Sequence, residues 1–226
     1  MDDQRKYKNV ISDIPKTAVD IYRMLPEGTR CEVIFNELVF QGNMNDQHKY
    51  KNVISEIPST AVEVYRMLPE GTRCEVIFNE LIMSPSPSRK HQLLLIKLSS
   101  LLYQFLEARQ TGTLLSAPFD VYFDPEQSVV QPDLFVVLNE DDQIMQENGV
   151  YGVPAIVIEI ISTNRSYDTK RKRALYEKVG VKEYFMIDPN NNKTTLLTLT
   201  EAGVYDQTYE ETGLLKSGIL NCNISF

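Results

Sequence analysis

Two carboxylates and one lysine in the second half of the chain are of the types that build a cation site: Asp133, Glu159 and Lys172. Glu159 stands alone in the apolar run AIVIEIIS, residues 155–162, a pattern that predicts a buried β-strand. Because an unpaired buried carboxylate costs several kcal/mol, such a residue is rarely buried without a partner. The sequence therefore predicts an internal partner for Glu159.

Asp133 supplies a second carboxylate at the start of another predicted strand, within QPDLFVVL. If the two strands are neighbours in one sheet, the side chains of Asp133 and Glu159 can converge. Two carboxylates at that separation repel each other unless a cation lies between them, and hard oxygen ligands favour Mg²⁺ or Mn²⁺. We therefore expect a divalent metal site that includes Asp133 and Glu159.

A lysine on the helix predicted over residues 168–180 can join these acids. Lys172 shares one helical face with Leu175, Tyr176 and Val179, at the spacing of a buried stripe. Lys170 falls on the polar face, so Lys172 is the lysine predicted to point inward. Alternatively, the stem of Lys172 packs along the core and its ammonium group reaches water.

The elements that would position these residues alternate between helix and strand, which predicts an α/β protein with a mixed central sheet. Gly112 is expected to end the first long helix, and residues 141–149 are expected to form an exposed loop. The predicted elements are a helix over 91–112, strands over 113–123, 129–138 and 155–161, a helix over 168–180 and a strand over 182–188.

The first part of the chain contains a repeat: residues 1–40 align without gaps to 44–83 and differ at eight positions. Each copy predicts a short helix and a β-hairpin, which in the second copy begin at Thr60 and turn at Phe78-Asn79. Two copies are too few for a solenoid. We interpret residues 1–43 as a duplicated segment, an extra helix and strand or an artefact, and residues 44–226 as one domain.

Composition limits the class of protein. With 42% hydrophobic and 24% charged residues, the 226-residue chain predicts a globular protein, and its apolar runs are far shorter than the roughly 20 residues that cross a bilayer. These short runs predict no membrane association, and three cysteines without metal-type spacing predict a cytoplasmic protein. The net charge of −8 argues against a general nucleic-acid coat, although residues 165–173 form a local basic patch.

Four stretches in this order resemble the Uma-type family of restriction endonucleases, in the PD-(D/E)xK nuclease superfamily. They are CEVIFNELIMSPSPSRKH, QPDLFVV, IVIEIIS and DTKRKRALYEKVGVKEYFMIDP, and the resemblance covers roughly residues 58–200. It implies a restriction-endonuclease-like αβββαβ core over 44–226, preceded by an N-terminal helix and β-hairpin. It also implies an endonuclease that hydrolyses phosphodiester bonds in DNA with Mg²⁺ or Mn²⁺.

The resemblance also implies roles for individual residues. Asp133 and Glu159 would be the two catalytic acids and the metal ligands, and one of Glu80 and Glu75, with Glu80 favoured, would complete the metal shell. Lys172 would be the catalytic lysine, moved to the following helix, since Ile161 holds its usual position.

Further candidates surround these three. His91 falls on the inward face near the start of its helix, where it is either catalytic or a structural histidine. The basic stretch places Arg165, Lys170 and Arg171 as phosphate-binding residues. Asp168 is expected to cap its helix. We expect a DNA substrate and a homodimer; the alternative function is a catalytically silent nuclease fold that binds DNA or a protein.

Overall fold

The structure, a computed structural model, describes residues 10–11, 31–34, 37–40, 53–54, 59–69, 71–84, 86–124, 127–161 and 166–226. The chain divides into two compact units, residues 1–85 and 86–226. None of the helices in the described ranges is long and apolar enough to cross a membrane.

The first unit contains helix α1, Ala61–Met67, and short strands from both repeat copies. The strands are β1 Val10–Ile11, β2 Cys31–Ile34, β3 Glu37–Phe40, β4 Val53–Ile54, β5 Cys74–Ile77 and β6 Glu80–Met83. Helix α1 begins with a capping box, in which the Thr60 side chain accepts from the Glu63 backbone and the Glu63 side chain accepts from the Thr60 backbone. Phe78 and Asn79 both have positive φ, as a two-residue hairpin turn requires, which confirms the predicted turn.

The two repeat copies form the same hairpin. Cys31 pairs with Phe40 and Cys74 with Met83, so the register of β2–β3 is that of β5–β6 shifted by one repeat. The short strand of each copy pairs with the hairpin of the other copy: β1 lies beside β6, and β4 lies beside β3. The repeated segments therefore exchange strands reciprocally within the first unit.

The second unit is built around a six-stranded mixed sheet, whose strands in spatial order are β16 Tyr205–Thr212, β15 Lys193–Leu199, β14 Glu183–Asp188, β13 Ile156–Ile160, β10 Leu134–Leu138 and β7 Gly112–Ser116. Helix α2 spans Arg89–Arg109 and helix α3 spans Ser166–Val179. The other strands of this unit are β8 Val121–Phe123, β9 Ser128–Val130, β11 Met145–Gln146, β12 Gly149–Tyr151, β17 Leu214–Ser217 and β18 Cys222–Ser225.

The order α2, β7, β10, β13, α3, β14 is the predicted αβββαβ core. Strands β13 and β14 are parallel and are joined through α3, whereas β10 pairs antiparallel with both β7 and β13. A parallel pair needs a crossover connection, and α3 provides it. The predicted fold class, with a mixed central sheet, is confirmed.

Helix α2 packs one leucine stripe on one face of this sheet. Leu94, Leu98, Leu102 and Leu106 recur every fourth residue and are buried in one cluster with apolar residues of β10, β13 and β14. Full burial of one such side chain is worth about 1.5–3 kcal/mol. This stripe therefore fixes the position of α2 on the sheet and, with it, the position of the first turn of the helix.

Two expectations about element boundaries are wrong. Helix α2 ends at Arg109, where Gln110 itself adopts the left-handed conformation with φ 51°. Gly112 instead begins β7, and a Cβ there would lie 2.6 Å from the carbonyl oxygen of Val137, so its role is close packing of two strands. The predicted loop over 141–149 contains a 3₁₀ helix, Asn139–Ile144, and a short pair of strands, β11 and β12.

The strands predicted over 113–123 and 129–138 are each divided in two. The first predicted strand becomes β7 and β8, and the second becomes β9 and β10. Strands β7 and β10 lie in the central sheet, whereas β8 and β9 pair with each other in another sheet. Pro118 and Pro132 stand at the two divisions, because a proline cannot donate to a strand ladder.

Candidate active site

Asp133 lies directly before β10, and Glu159 lies in β13, the strand that pairs antiparallel with β10. Leu134, the first residue of β10, lies opposite Ile158, so Asp133 lies beside the Glu159–Ile160 end of β13. The backbone N–H of Ile160 donates a 2.8 Å hydrogen bond to Oδ2 of Asp133, which ties the aspartate to the neighbouring strand.

Glu159 is buried and has two donors on helix α3. Nζ of Lys172 lies 2.9 Å from its Oε1 atom, and the hydroxyl of Tyr176 donates to the same oxygen at 2.8 Å. Only 8% of the Glu159 side chain and 14% of the Lys172 side chain are exposed, so this ion pair is largely screened from water. The internal partner that the sequence required for Glu159 is thus supplied by α3.

The alternation of β13 explains why Glu159 meets α3. Ile156, Ile158 and Ile160 belong to the apolar cluster that contains the leucines of α2. Successive side chains of a strand point to opposite faces, so Glu159 faces away from that cluster. Its hydrogen bonds to α3 show which element lies there.

His91 approaches Asp133 from the first turn of α2. Its Nε2 atom lies 3.1 Å from Oδ2 of Asp133, and both side chains are mostly buried, with 16% and 17% exposed. Nε2 is thus the nitrogen of His91 that faces the carboxylate. Nδ1 is buried, and no hydrogen bond to it is found among the described residues. His91 therefore orients Asp133 through Nε2, and its Nδ1 atom lies at the same end of the sheet.

The remaining candidates lie in several places. Lys170 is exposed on α3 and Arg171 is half-buried, whereas Arg165 lies outside the described residues. Glu80 begins β6 in the first unit and is half-buried. Their roles stay predictions. Helix α3 begins at Ser166, so Asp168 is its third residue, and the prediction that Asp168 caps the helix is wrong.

Tyr176 is the site residue that sequence reasoning missed. It lies four residues after Lys172 on the predicted inward face, but an inward tyrosine usually indicates core packing. The signal in the sequence was a lysine and a tyrosine four residues apart on the helix face that was predicted to meet a buried acid.

The donor set fits a hard divalent cation. Among the described residues, no group of three or more His, Cys, Asp or Glu side chains is arranged to hold a metal. Two carboxylates remain, Asp133 and Glu159, and Mg²⁺ is commonly bound through one or two carboxylates with water and substrate phosphates as the other ligands.

Comparison with known families identifies the family to which this αβββαβ core belongs. The model of the Uma2 family, described as "Putative restriction endonuclease", matches residues 61–220. This chain belongs to the Uma2 family. The matched range includes α1, the β5–β6 hairpin and the whole αβββαβ core of this Uma2 protein. The family assignment indicates a nuclease acting on nucleic acid.

A solved structure shows the same fold. It is described as a putative nuclease belonging to DUF820 from Anabaena variabilis ATCC 29413, and it superposes on this Uma2 protein with a TM-score of 0.61. The sequences are 18% identical over 74% of this chain and 95% of the other, so the likeness concerns the fold alone. No curated protein sequence matches this chain.

Proposed function

We propose that this Uma2 protein is a divalent-metal-dependent endonuclease that hydrolyses phosphodiester bonds in DNA. The observation that carries the proposal is that Asp133 bonds the backbone N–H of Ile160, next to Glu159 on β13, while Lys172 is paired to Glu159. A buried carboxylate–lysine pair beside a second acid is costly to build for stability alone, since hydrophobic residues of similar volume are often as stabilising. This cost favours a role in chemistry.

Asp133 and Glu159 would hold the cation. When bound, Mg²⁺ or Mn²⁺ neutralises charge on the scissile phosphate and acidifies a water molecule. Lys172 lies 2.9 Å from Glu159 and would orient the attacking water or stabilise the negative charge that develops on the phosphate oxygens. His91 and the backbone N–H of Ile160 both bond Oδ2 of Asp133, so the orientation of that carboxylate is set before substrate arrives.

Substrate contacts outside the acids would come from the basic stretch. Lys170 is exposed on the same helix as Lys172, where it can reach a flanking phosphate. Such contacts raise affinity for any nucleic acid and weaken with salt. We assign Arg165, Lys170 and Arg171 to this role.

The test of this proposal is cleavage by the full chain. Supercoiled plasmid, linear duplex DNA, single-stranded DNA and RNA are each incubated with Mg²⁺, with Mn²⁺ or with EDTA. We expect metal-dependent cleavage of DNA that EDTA abolishes, and a loss of at least about 10²-fold in Asp133→Asn and Glu159→Gln, since each removes charge from the site. Cleavage of RNA alone would change the substrate class.

A control separates the enzyme from a silent relative. Binding of fluorescent duplex is measured by anisotropy on the same preparations. DNA binding without cleavage of any substrate, in either metal, would contradict the enzymatic proposal and support a binding protein. Cleavage that survives in the Asp133→Asn/Glu159→Gln double variant would show that other residues carry it.

The proposal extends to location and assembly. We place the protein in the cytosol because its three cysteines, an odd number without metal-type spacing, are typical of a reducing compartment. We also propose a homodimer, so that two sites can act on two strands. Light scattering coupled to gel filtration decides between one and two copies.

A further inference from the structure

Tyr176 and Lys172 share one acceptor, and this pairing is the basis of the inference. They lie one helical turn apart on α3, and both donate to Oε1 of Glu159, at 2.8 Å and 2.9 Å. Tyr176 is fully buried, whereas Lys172 has a flexible four-carbon stem and some exposure. The two donors therefore differ in how firmly they can hold the carboxylate.

The ring of Tyr176 is held on two sides. Its centroid lies 5.0 Å from that of Tyr184 and 6.5 Å from that of Phe123, both in edge-to-face geometry. Tyr184 is itself 6.2 Å from Tyr205. Such pairs contribute beyond the area they bury, and a tyrosine has only two rotatable side-chain bonds. The position of the Tyr176 hydroxyl is thus determined by the aromatic core.

We propose that Tyr176 is the positioning residue of Glu159: its hydroxyl fixes the rotation of the carboxylate, which leaves Lys172 able to move between Glu159 and the substrate. The inference rests on the proposed function, in which Glu159 binds the cation. Partners that orient a metal-binding carboxylate typically affect metal affinity or activity by about 10–100-fold. A tyrosine that only fills the core would not affect either.

The test compares two Tyr→Phe variants from the same aromatic row. Tyr176→Phe removes the hydroxyl that bonds Glu159, and Tyr205→Phe removes a buried hydroxyl that donates to the carbonyl oxygen of Val181 at 2.8 Å. Both keep the ring and lose one buried hydrogen bond. Mn²⁺ affinity is measured by calorimetry, melting temperature by circular dichroism, and kcat and KM with duplex DNA.

We expect similar falls in melting temperature for the two variants but different effects at the site. In Tyr176→Phe, Mn²⁺ affinity should fall about 10-fold or more and kcat should fall, with KM little changed. In Tyr205→Phe, both should stay within about twofold of wild type. Unchanged Mn²⁺ affinity in Tyr176→Phe, or equal losses in both variants, would overturn the proposal.

A crystal structure distinguishes failure of this inference from failure of the proposed function. If the wild-type chain binds no Mn²⁺ and cleaves nothing, the proposed function fails, but the metal-free structure of Tyr176→Phe still tests the positioning role. We expect the Glu159 carboxylate to rotate from its wild-type orientation or to occupy several. A single unchanged orientation would overturn the inference.

Discussion

Lys172 and Glu159 form a largely buried ion pair, 2.9 Å between Nζ and Oε1, that joins helix α3 to the central strand β13. Thirteen residues separate them in the chain, and the crossover from β13 into α3 brings them together. The charge of Lys172 is therefore held beside the proposed cation site, which leads to a first prediction.

Lys172→Met should lower cleavage more than its effect on the fold would explain. Methionine keeps much of the stem volume but removes the positive charge, so we expect cleavage to fall by about 10²-fold or more. Because Glu159 then loses its charged partner, the metal-free protein should lose on the order of 3 kcal/mol of unfolding free energy, part of which Mg²⁺ restores. Urea denaturation and plasmid cleavage measure the two effects.

Lys170→Met is the matched control, since Lys170 is exposed two residues away on α3. It should change stability by less than about 0.5 kcal/mol and weaken DNA binding mainly at low salt. Equal losses of cleavage in the two variants would indicate general phosphate attraction.

The effect of metal removal on the stability of the protein should be measurable without substrate. If Asp133 and Glu159 bind Mg²⁺ or Mn²⁺, the cation stabilises the folded state by about 2.7 kcal/mol at a hundred times its Kd. The melting temperature should therefore rise with metal concentration and fall after EDTA treatment. Unchanged binding in an Asp133→Ala/Glu159→Ala double variant, measured by calorimetry, would place the cation elsewhere.

His91→Leu should weaken cation binding by about 10–100-fold, because Asp133 loses one of the two donors to Oδ2. Lys90→Met is the control: Lys90 precedes His91 on α2 but bonds the exposed Asn190 side chain instead. Calorimetric titration of both variants with Mn²⁺ tests the difference. A His91→Leu protein with wild-type affinity would reduce His91 to a packing residue.

Deletion of residues 1–43 should leave a folded protein. The deletion removes β1, Val10–Ile11, from the edge of β6, but the second copy contains the same dipeptide in β4, Val53–Ile54. We expect β4 to take that position against Leu81 and Ile82. The truncated chain should unfold cooperatively, and cross-strand nuclear Overhauser effects should link the two strands; an insoluble or molten product would show that the first copy is needed.

Acid should weaken helix α1 through Glu63. Hydrogen bonds from the Ser59 backbone, and then the Ser59 side chain, hold the pKa of Glu63 below its ordinary value of 4.5. A depressed pKa in the folded state contributes stability above the unfolded-state pKa, and this contribution is lost as the pH falls through the folded-state pKa. Glu63→Gln should therefore be less stable than wild type at pH 7, and the difference should shrink below about pH 4; denaturation at several pH values measures it.

Some of the fold follows from short-range patterns. A period of 3.6 placed Lys172 on the inward face of its helix, and the apolar run around Glu159 predicted a buried strand. Both patterns depend on the local backbone, which repeats with a period set by helix or strand geometry. The hairpin turn at Phe78-Asn79 belongs to the same class, since Asn tolerates the positive φ that the turn requires.

Strand boundaries were less predictable because sheet membership is not a local property. Residues 113–123 were predicted as one strand, yet β7 pairs with β10 and β8 pairs with β9 in another sheet. Gly112 likewise resembled a helix stop, although the approach of the Val137 carbonyl gives it another role. In each case the outcome depends on the strand that packs against the segment and not on the segment itself.

By itself, the sequence determined which side chains could serve the site: two acids, an inward lysine and a histidine near a helix start. Only the tertiary structure decided their partners. The pairing of β10 with β13 brings Asp133 to the backbone of Ile160, next to Glu159, the leucine stripe of α2 brings His91 to Asp133, and the crossover through α3 brings Tyr176 to Glu159. These contacts join residues that are 17 to 42 positions apart. They form because the burial of apolar faces fixes how whole helices and strands pack against one another. The periodicity of a single helix or strand does not encode that packing.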